Sequence, residues 1–467
     1  MAAAMKKTKP KLESLPYLRR VRAAVGRRAQ EAVAVAEAIA ELAEPAMREF
    51  ESSDCLAGFL AAAGFRVTRP WKDLPTAFRA TAGRGRPAIG ILAEYDALPD
   101  CGPRPGEWGH GCGHNLLGAA SALAGIAAAE LLRRLGEAGR IIVFGCPAEE
   151  ALAGKVFMAA RRAFSGLDAV LAWHPDGATR ADIAGGAAMD SVLFRFRGRT
   201  AHAAGGPEQG RSALDGAMLT DVAVNYLREH TAENTRMHSV ITDGGRAPNV
   251  VPDSAEIWYY VRGKDRKQVD ELRGRVRLCA RAGALATDTR LRMTVQTSNT
   301  ERIPNRTLGD MLDAILHRCG PPSFTPRDVR AAAGLLPGKK YAATVDPIRT
   351  EQGRGSSDED NVSWFAPLGR ISVACVPKDT IGHHRQYAAA IRLPGAHRGM
   401  LKAAEVLAAA AVELALNRPL LKKAQAEFHK QRRGKKYDLP MPANARPPVY
   451  ARPAGATSEI RNPKSEG

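Results

Sequence analysis

Cys112 and His114 stand two positions apart in Gly-His-Gly-Cys-Gly-His-Asn, residues 109–115. The glycines let the backbone bend tightly without Cβ clashes, so the thiol and the imidazole can aim at one point. Both groups suit Zn²⁺ and the neighbouring divalent ions of the first transition row. Alone, such a pair is a weak signal. Further candidates lie downstream. Glu149 and Glu150 are adjacent after the apolar run RIIVFGC. His174 stands in Ala-Trp-His-Pro. His383 and His384 lie in Asp-Thr-Ile-Gly-His-His-Arg-Gln, where one imidazole suffices and His383 is favoured. His202 stands in Gly-Arg-Thr-Ala-His-Ala, and Asn249 in Gly-Gly-Arg-Ala-Pro-Asn-Val-Val-Pro.

Each candidate also has a plainer reading. An acidic pair is favoured at a helix N-terminus by the dipole. A lone buried histidine is commonly a hydrogen-bonded core residue, and His202 reads equally as a surface side chain. Asn249 fits ordinary turn chemistry. Beside a metal, two adjacent carboxylates can divide the work. One binds the ion and the other takes a proton from the water the ion activates.

The elements around these residues favour the chemical reading. Strand-like runs at Pro87–Glu94, Arg140–Cys146 and Asp168–Trp173 alternate with helical runs at Leu116–Leu135 and Lys155–Phe164. Helical spacing also covers Ala29–Phe50, and Ser52–Val67 reads as a helix leading into a strand. Alternation of this kind implies an α/β domain with a mostly parallel sheet. Ligands in such sheets sit beyond the C-terminal strand ends. Asp96, the Glu149-Glu150 pair and His174 each follow a strand.

The pattern changes near Asp190. Strands at Ser191–Gly198, Met237–Asp243, Ser254–Arg262 and Arg290–Thr297 interleave with helices at Ser212–Glu229 and Lys267–Leu285. The order β-α-β-β-α-β is that of the ferredoxin-like sandwich. Residues 188–299 are therefore expected to form an inserted lid or dimerisation domain. Residues 1–187 and 300–433 would form the two parts of the catalytic, metal-binding domain. The basic, Pro-rich stretch 434–467 reads as an extended or disordered tail.

Composition sets bounds. The 467 residues are 45% hydrophobic and 25% charged, as in ordinary globular proteins. Net charge is +19, but much of the excess lies near the two ends and no basic stretch is interleaved with aromatics. A nucleic-acid partner is not expected. The seven cysteines are dispersed without a CxxC pair, which points to a reducing compartment and a cytoplasmic location. No apolar h-region marks a signal peptide near the N-terminus. Leu116–Leu132 is Ala-rich and carries Glu130, so it reads as a buried helix and no membrane span is expected.

Several stretches together resemble one family. They are Ala93-Glu94-Tyr95-Asp96-Ala97-Leu98-Pro99, the Gly-His-Gly-Cys-Gly-His-Asn segment, Pro147-Ala148-Glu149-Glu150 and Ala172-Trp173-His174-Pro175. Ala201-His202-Ala203, Asn249-Val250-Val251-Pro252 and Gly355-Ser356-Ser357-Asp358 continue the series. In this order they resemble the M20 metallopeptidase and amidohydrolase superfamily, in its branch of aminobenzoyl-glutamate and indole-acetyl-amino-acid hydrolases. The resemblance implies that Cys112, His114, Glu150, His174 and His383 ligate one or two divalent ions of Mn, Zn, Co or Ni. It implies that Glu149 is the general base and later proton donor. Asp96 would orient a ligand, His202 would stabilise the oxyanion from the lid, and Asn249 would contact substrate. A homodimer through the inserted domain is also implied.

Two stretches depart from the family pattern. His384 and Arg385 replace a small residue and a Trp after the ligand histidine, and Val376-Pro377-Lys378-Asp379 before it is atypical. Residues 334–354 match nothing in it. Three functions follow as expectations. The first is metal-dependent hydrolysis of a C–N bond in a carboxylate-bearing small molecule, an N-acyl amino acid of the aminobenzoyl-glutamate type. The second is hydrolytic deamination of an activated aromatic amine such as a nitroanthranilate. The third is a catalytically silent scaffold.

Overall fold

A computed structural model of the chain describes residues 16–439, 441 and 445–447. Two sheets organise it. The larger is built from β1 (Arg66–Thr68), β2 (Phe78–Arg84), β3 (Ala88–Glu94), β4 (Gly139–Cys146), β5 (Ala169–Asp176), β6 (Arg180–Asp182) and, much later, β11 (Leu368–Ala374). Their order is β1-β2-β4-β3-β5-β11-β6. The central four strands are parallel, and the outer strands on both sides run antiparallel. β3 is buried along its whole length, which explains its uninterrupted apolar run.

Helices cover both faces. On one side lie α1 (Leu18–Arg27), α2 (Ala29–Leu42), α3 (Phe50–Ala62) and α4 (His114–Leu135). The other side carries the short α5 (Glu149–Leu152) and α6 (Gly154–Ala160). α4 is long and apolar enough to cross a membrane, yet it is the buried core helix of this domain.

The second sheet comprises β7 (Ala188–Arg197), β8 (Arg236–Asp243), β9 (Ser254–Gly263) and β10 (Arg290–Asn299), in the order β10-β7-β9-β8. It is antiparallel throughout. α7 (Ala213–Leu227) and α8 (Arg266–Ala286) pack on one face over a separate core. β9 alternates strictly between buried and half-buried positions, so Trp258, Tyr260 and Arg262 share the face opposite the helices. The β-α-β-β-α-β order is the one expected from the sequence. The remaining helices are α9 (Arg306–Cys319), α10 (Pro326–Leu335), α11 (Glu359–Val362), α12 (Arg385–Ala390), α13 (Pro394–Leu416) and α14 (Arg418–Arg432). α13 packs along α4 on the larger sheet.

Short α11 ties the two sheets together. The chain crosses between them near Gly186 and again near Thr300. Gly186 N donates to Asp360 Oδ2 at 2.7 Å, and Thr300 N donates to Asn361 Oδ1 at 2.7 Å. Arg302 is buried against Asp360 and Glu359.

The structure corrects several expectations. The helix read across Ala29–Phe50 ends at Leu42, with Ala43 left-handed. Pro45 is the cause, since it disfavours helical backbone at the residue before it. Strands β2 and β6 went unread: β6 has only three residues, and β2 mixes buried apolar positions with polar, partly exposed ones. The expected 434–467 tail lies largely outside the described residues. Residues 334–354, which matched no pattern, run along β6. Arg349 N donates to Ala181 O at 2.9 Å, and Ile183 N donates to Arg349 O at 3.1 Å. This covers an edge that would otherwise offer unpaired backbone groups.

That cover strap brings Arg349 onto Asp182, which Arg370 of β11 also contacts at 2.8 Å. Burial alone would raise the Asp182 carboxyl, but Arg370, Arg302 and Arg349 outweigh it and hold the group at about 2. The folded value lies below that of a free Asp, roughly 3.9. The pairing therefore stabilises the fold above that pH, and its contribution is lost as pH falls toward 2. Asp182→Asn should cost about 3 kcal/mol near neutrality, since it strands buried arginines. Urea denaturation at pH 7 and pH 3 checks this, with a smaller loss expected at pH 3.

Candidate active site

Parallel pairing in register brings four strand ends to one edge. Glu94 at the end of β3 lies opposite Cys146 at the end of β4. β5 carries His174, and β11 beside it pairs Ser372 with His174 before leading toward His383. The Cys112 turn enters from the front. Gly113 opens α4 with φ of 80°, a conformation that L residues rarely adopt. Gly111 sits so close to the 383 loop that a Cβ there would lie 3.2 Å from His383 Cα. His383 N donates to Gly111 O at 2.8 Å, which fixes the loop to the turn.

Hydrogen bonds set how the imidazoles point. His114 Nδ1 lies 2.9 Å from Asp96 Oδ1 and donates to it, which leaves Nε2 for the site. His174 Nδ1 donates to Pro175 O at 2.7 Å, so its Nε2 faces Cys112 Sγ at 3.2 Å. The second oxygen of Asp96 accepts from Glu150 N at 2.9 Å. One buried carboxylate thus orients a histidine and anchors the acidic turn, as the supporting groups of metal ligands do. Glu49 accepts from Ala148 N at 2.8 Å, just before that turn.

The expected ligands converge. Potential ligand atoms of Cys112, His114 and His174 all lie within 4.8 Å of one another. The same holds for Cys112, Glu150 and His383, and for His114, Glu149 and Glu150. Glu150 Oε1 is buried with no hydrogen-bond partner, while Oε2 lies 3.5 Å from His383 Nε2. A thiol, three imidazoles and an orphaned carboxylate oxygen fit a divalent transition-metal ion. Of the histidine pair, His383 faces the cluster. His384 accepts from Gln386 N at the start of α12 instead. Burial, then the negative charge of Glu94, raises the Glu149 carboxyl to about 7. A group poised there can both take and return a proton.

His202 and Asn249 lie elsewhere, in adjoining loops of the smaller sheet. His202 pairs with Val250 in an isolated bridge, and Ala203 N donates to Asn249 O at 3.0 Å. Among the described residues, the His202 ring accepts from Gly205 N at 2.9 Å and Ala204 N at 3.2 Å through Nδ1. That leaves Nε2–H as a free donor on an exposed side chain.

Sequence reasoning missed two sets of neighbours. Buried Lys155 joins Glu94 and Asp358 directly behind His114. Arg262 and Tyr260 of β9 lie within electrostatic reach of Glu149. Arg262 is held over the Tyr260 ring at 5.6 Å and donates to Ser356 Oγ at 2.7 Å. Alternation along β9 was the one signal that could have found this pair.

A cluster of candidate metal ligands at the C-terminal edge of a parallel sheet, with a ferredoxin-like unit inserted in the chain, is the plan of a two-part α/β hydrolase. Residues 186–288 match the family model of the M20 peptidase dimerisation domain. The chain is 34% identical over 456 residues to one of the subunits of the p-aminobenzoyl-glutamate hydrolase of Escherichia coli, covering 88% of this chain and 95% of that one. It is 31% identical over 376 residues to mouse Xaa-Arg dipeptidase, covering 78% and 80%. Its fold matches the crystal structure of an aminobenzoyl-glutamate utilization protein from Klebsiella pneumoniae. The TM-score there is 0.57 at 20% identity, over 85% of this chain and 97% of that one. The chain belongs to the M20 family of peptidases and amidohydrolases, and it is a hydrolase of C–N bonds. The silent-scaffold reading falls with that result, and the comparisons lend ring deamination no support.

Proposed function

We propose that this enzyme cleaves the amide of N-acyl amino acids whose amine part bears a side-chain carboxylate, with p-aminobenzoyl-glutamate as the type substrate. Residues 188–299 act as the lid over a catalytic domain formed by 1–187 and 300–433. One or two ions of Mn, Zn, Co or Ni, held by Cys112, His114, Glu150, His174 and His383, would supply an acidified water and a Lewis acid for the amide oxygen. Glu149 takes the proton of the attacking water and then delivers it to the leaving nitrogen. Asp96 keeps the His114 ring in its ligating tautomer. His202 donates through Nε2 as charge builds on the amide oxygen, and Asn249 contacts substrate from the neighbouring loop.

The observation that carries the substrate class is Arg262 on the half-buried face of β9, within electrostatic reach of Glu149. A guanidinium grips a carboxylate in a two-pronged fashion. Arg262 also lines a cavity of 390 Å³ together with Arg236, Lys264 and Arg354, against a lone acid, Glu233. Such a lining attracts a glutamate-like product and repels the arginine of an Xaa-Arg dipeptide. The metal-loaded enzyme should therefore favour p-aminobenzoyl-glutamate over an arginine-ended dipeptide by about 100-fold or more in kcat/KM, corresponding to about 3 kcal/mol. The reverse preference would overturn the assignment.

The same reading makes the enzyme a homodimer through the lid. Met218, Leu219, Val222 and Tyr226 form an exposed apolar stripe on α7, and Val240 and Ile241 are exposed on the edge strand β8. Val222→Glu should convert dimer to monomer in light scattering after size exclusion, with the fold retained by circular dichroism. An unchanged mass would exclude this face. Among the described residues no disulfide joins any of the cysteines, which fits a cytoplasmic enzyme.

A further inference from the structure

Lys155, on the first turn of α6, is fully buried. Its ammonium donates to Glu94 Oε1 at 2.6 Å and to Asp358 Oδ1 at 2.5 Å. Its backbone N donates to Asp358 Oδ2 at 2.8 Å. Burying three ionisable groups is costly, and well-packed apolar residues often serve stability as well or better. Stability alone is thus a poor account of the trio.

Lys155 occupies one oxygen of Glu94. The other, Oε2, lies 3.3 Å from His114 Nε2. With Nδ1 donating to Asp96, the neutral His114 ring presents a lone pair at Nε2. Two acceptors therefore face each other in a buried space. Such an arrangement is favourable only with a proton or a metal ion between them. Glu150 Oε1 approaches the same nitrogen at 3.8 Å and has no hydrogen-bond partner, so the position already gathers anionic oxygens.

We infer that Glu94 is an additional ligand of the metal centre, sharing an ion with His114, and that Lys155 and Asp358 hold its carboxylate in that position. This rests on the reading of Cys112, His114, Glu150, His174 and His383 as metal ligands. Glu94→Gln is the decisive variant, since it keeps the side-chain shape and leaves the Lys155–Asp358 pair intact. Metal-stripped wild type and variant would be titrated with Mn²⁺ and Zn²⁺ by calorimetry. The visible spectra of their Co²⁺ forms and the melting of the stripped forms would be compared. Binding of at least one ion should weaken by roughly 10-fold or more. The Co²⁺ bands should shift, while the stripped proteins melt within a few degrees of each other. Equal affinity and equal spectra would overturn the inference and leave Glu94 as an ion-pair partner of a protonated His114. Weaker binding with an unshifted spectrum would also overturn it, reducing Glu94 to a positioning residue. A wild type that takes up no ion would sink the metal reading itself. Should Glu94→Gln fail to fold, Glu94→Asp keeps the charge but withdraws the oxygen, and it should show the same two changes.

Discussion

Glu149→Gln is expected to lose about 10⁴-fold in kcat while its metal content stays at the wild-type level. The amide is isosteric with the carboxylate but accepts no proton. Glu149 is set among Glu94, Lys155, His114 and Asp96, and its carboxyl is raised to about 7 by burial first and Glu94 second. Glu150 next to it carries the orphaned oxygen that suits a ligand. The two neighbours therefore separate by experiment. Elemental analysis alongside single-turnover kinetics should show a metal-replete but inert Glu149→Gln. Retained turnover would remove Glu149 from the proton transfers, and metal loss would make it a ligand.

The second large effect concerns recognition. Arg262→Met should lower kcat/KM for p-aminobenzoyl-glutamate by about 10²- to 10³-fold, mainly through KM. The change corresponds to stripping a paired guanidinium from a bound carboxylate. An N-acyl amine lacking the side-chain carboxylate should lose far less, because it never used that fork. Arg262→Lys should recover only part of the loss, since an ammonium lacks the planar two-pronged geometry. Steady-state kinetics on both substrates check this. Equal losses on both would mean that Arg262 acts through the fold or through Tyr260 and Ser356, which it contacts.

Much of the site was legible in the sequence because parallel sheets collect function at one edge. Asp96, Glu149 and Glu150 each follow a buried strand and His174 lies near the end of another, and the structure brings those ends together with the Cys112 turn. The ferredoxin-like unit was legible from its alternating strands and two helices. What stayed hidden depended on contacts between distant segments. Lys155 reads as an ordinary polar residue early in a helix, and only the fold lays Asp358 against it, 203 positions away. Arg262 is one of 68 Lys and Arg residues, so its type said nothing. Its face on β9, opposite the packed helices, is what distinguishes it. Residues 334–354 carry no periodicity because their bonds go to the outer strand β6 and to the 378 loop. The helical spacing of Ala29–Phe50 runs past Pro45, so the break after Leu42, where Ala43 turns left-handed, was overlooked.

The most direct test is to load the stripped enzyme with Mn²⁺ or Zn²⁺, add p-aminobenzoyl-glutamate, and identify the products by mass. The account predicts p-aminobenzoate and glutamate in equal amounts, with none formed by the stripped protein. Cleavage that is indifferent to the metal would contradict it. So would an intact amide, or free ammonia with a hydroxylated ring from an anthranilate under the same conditions.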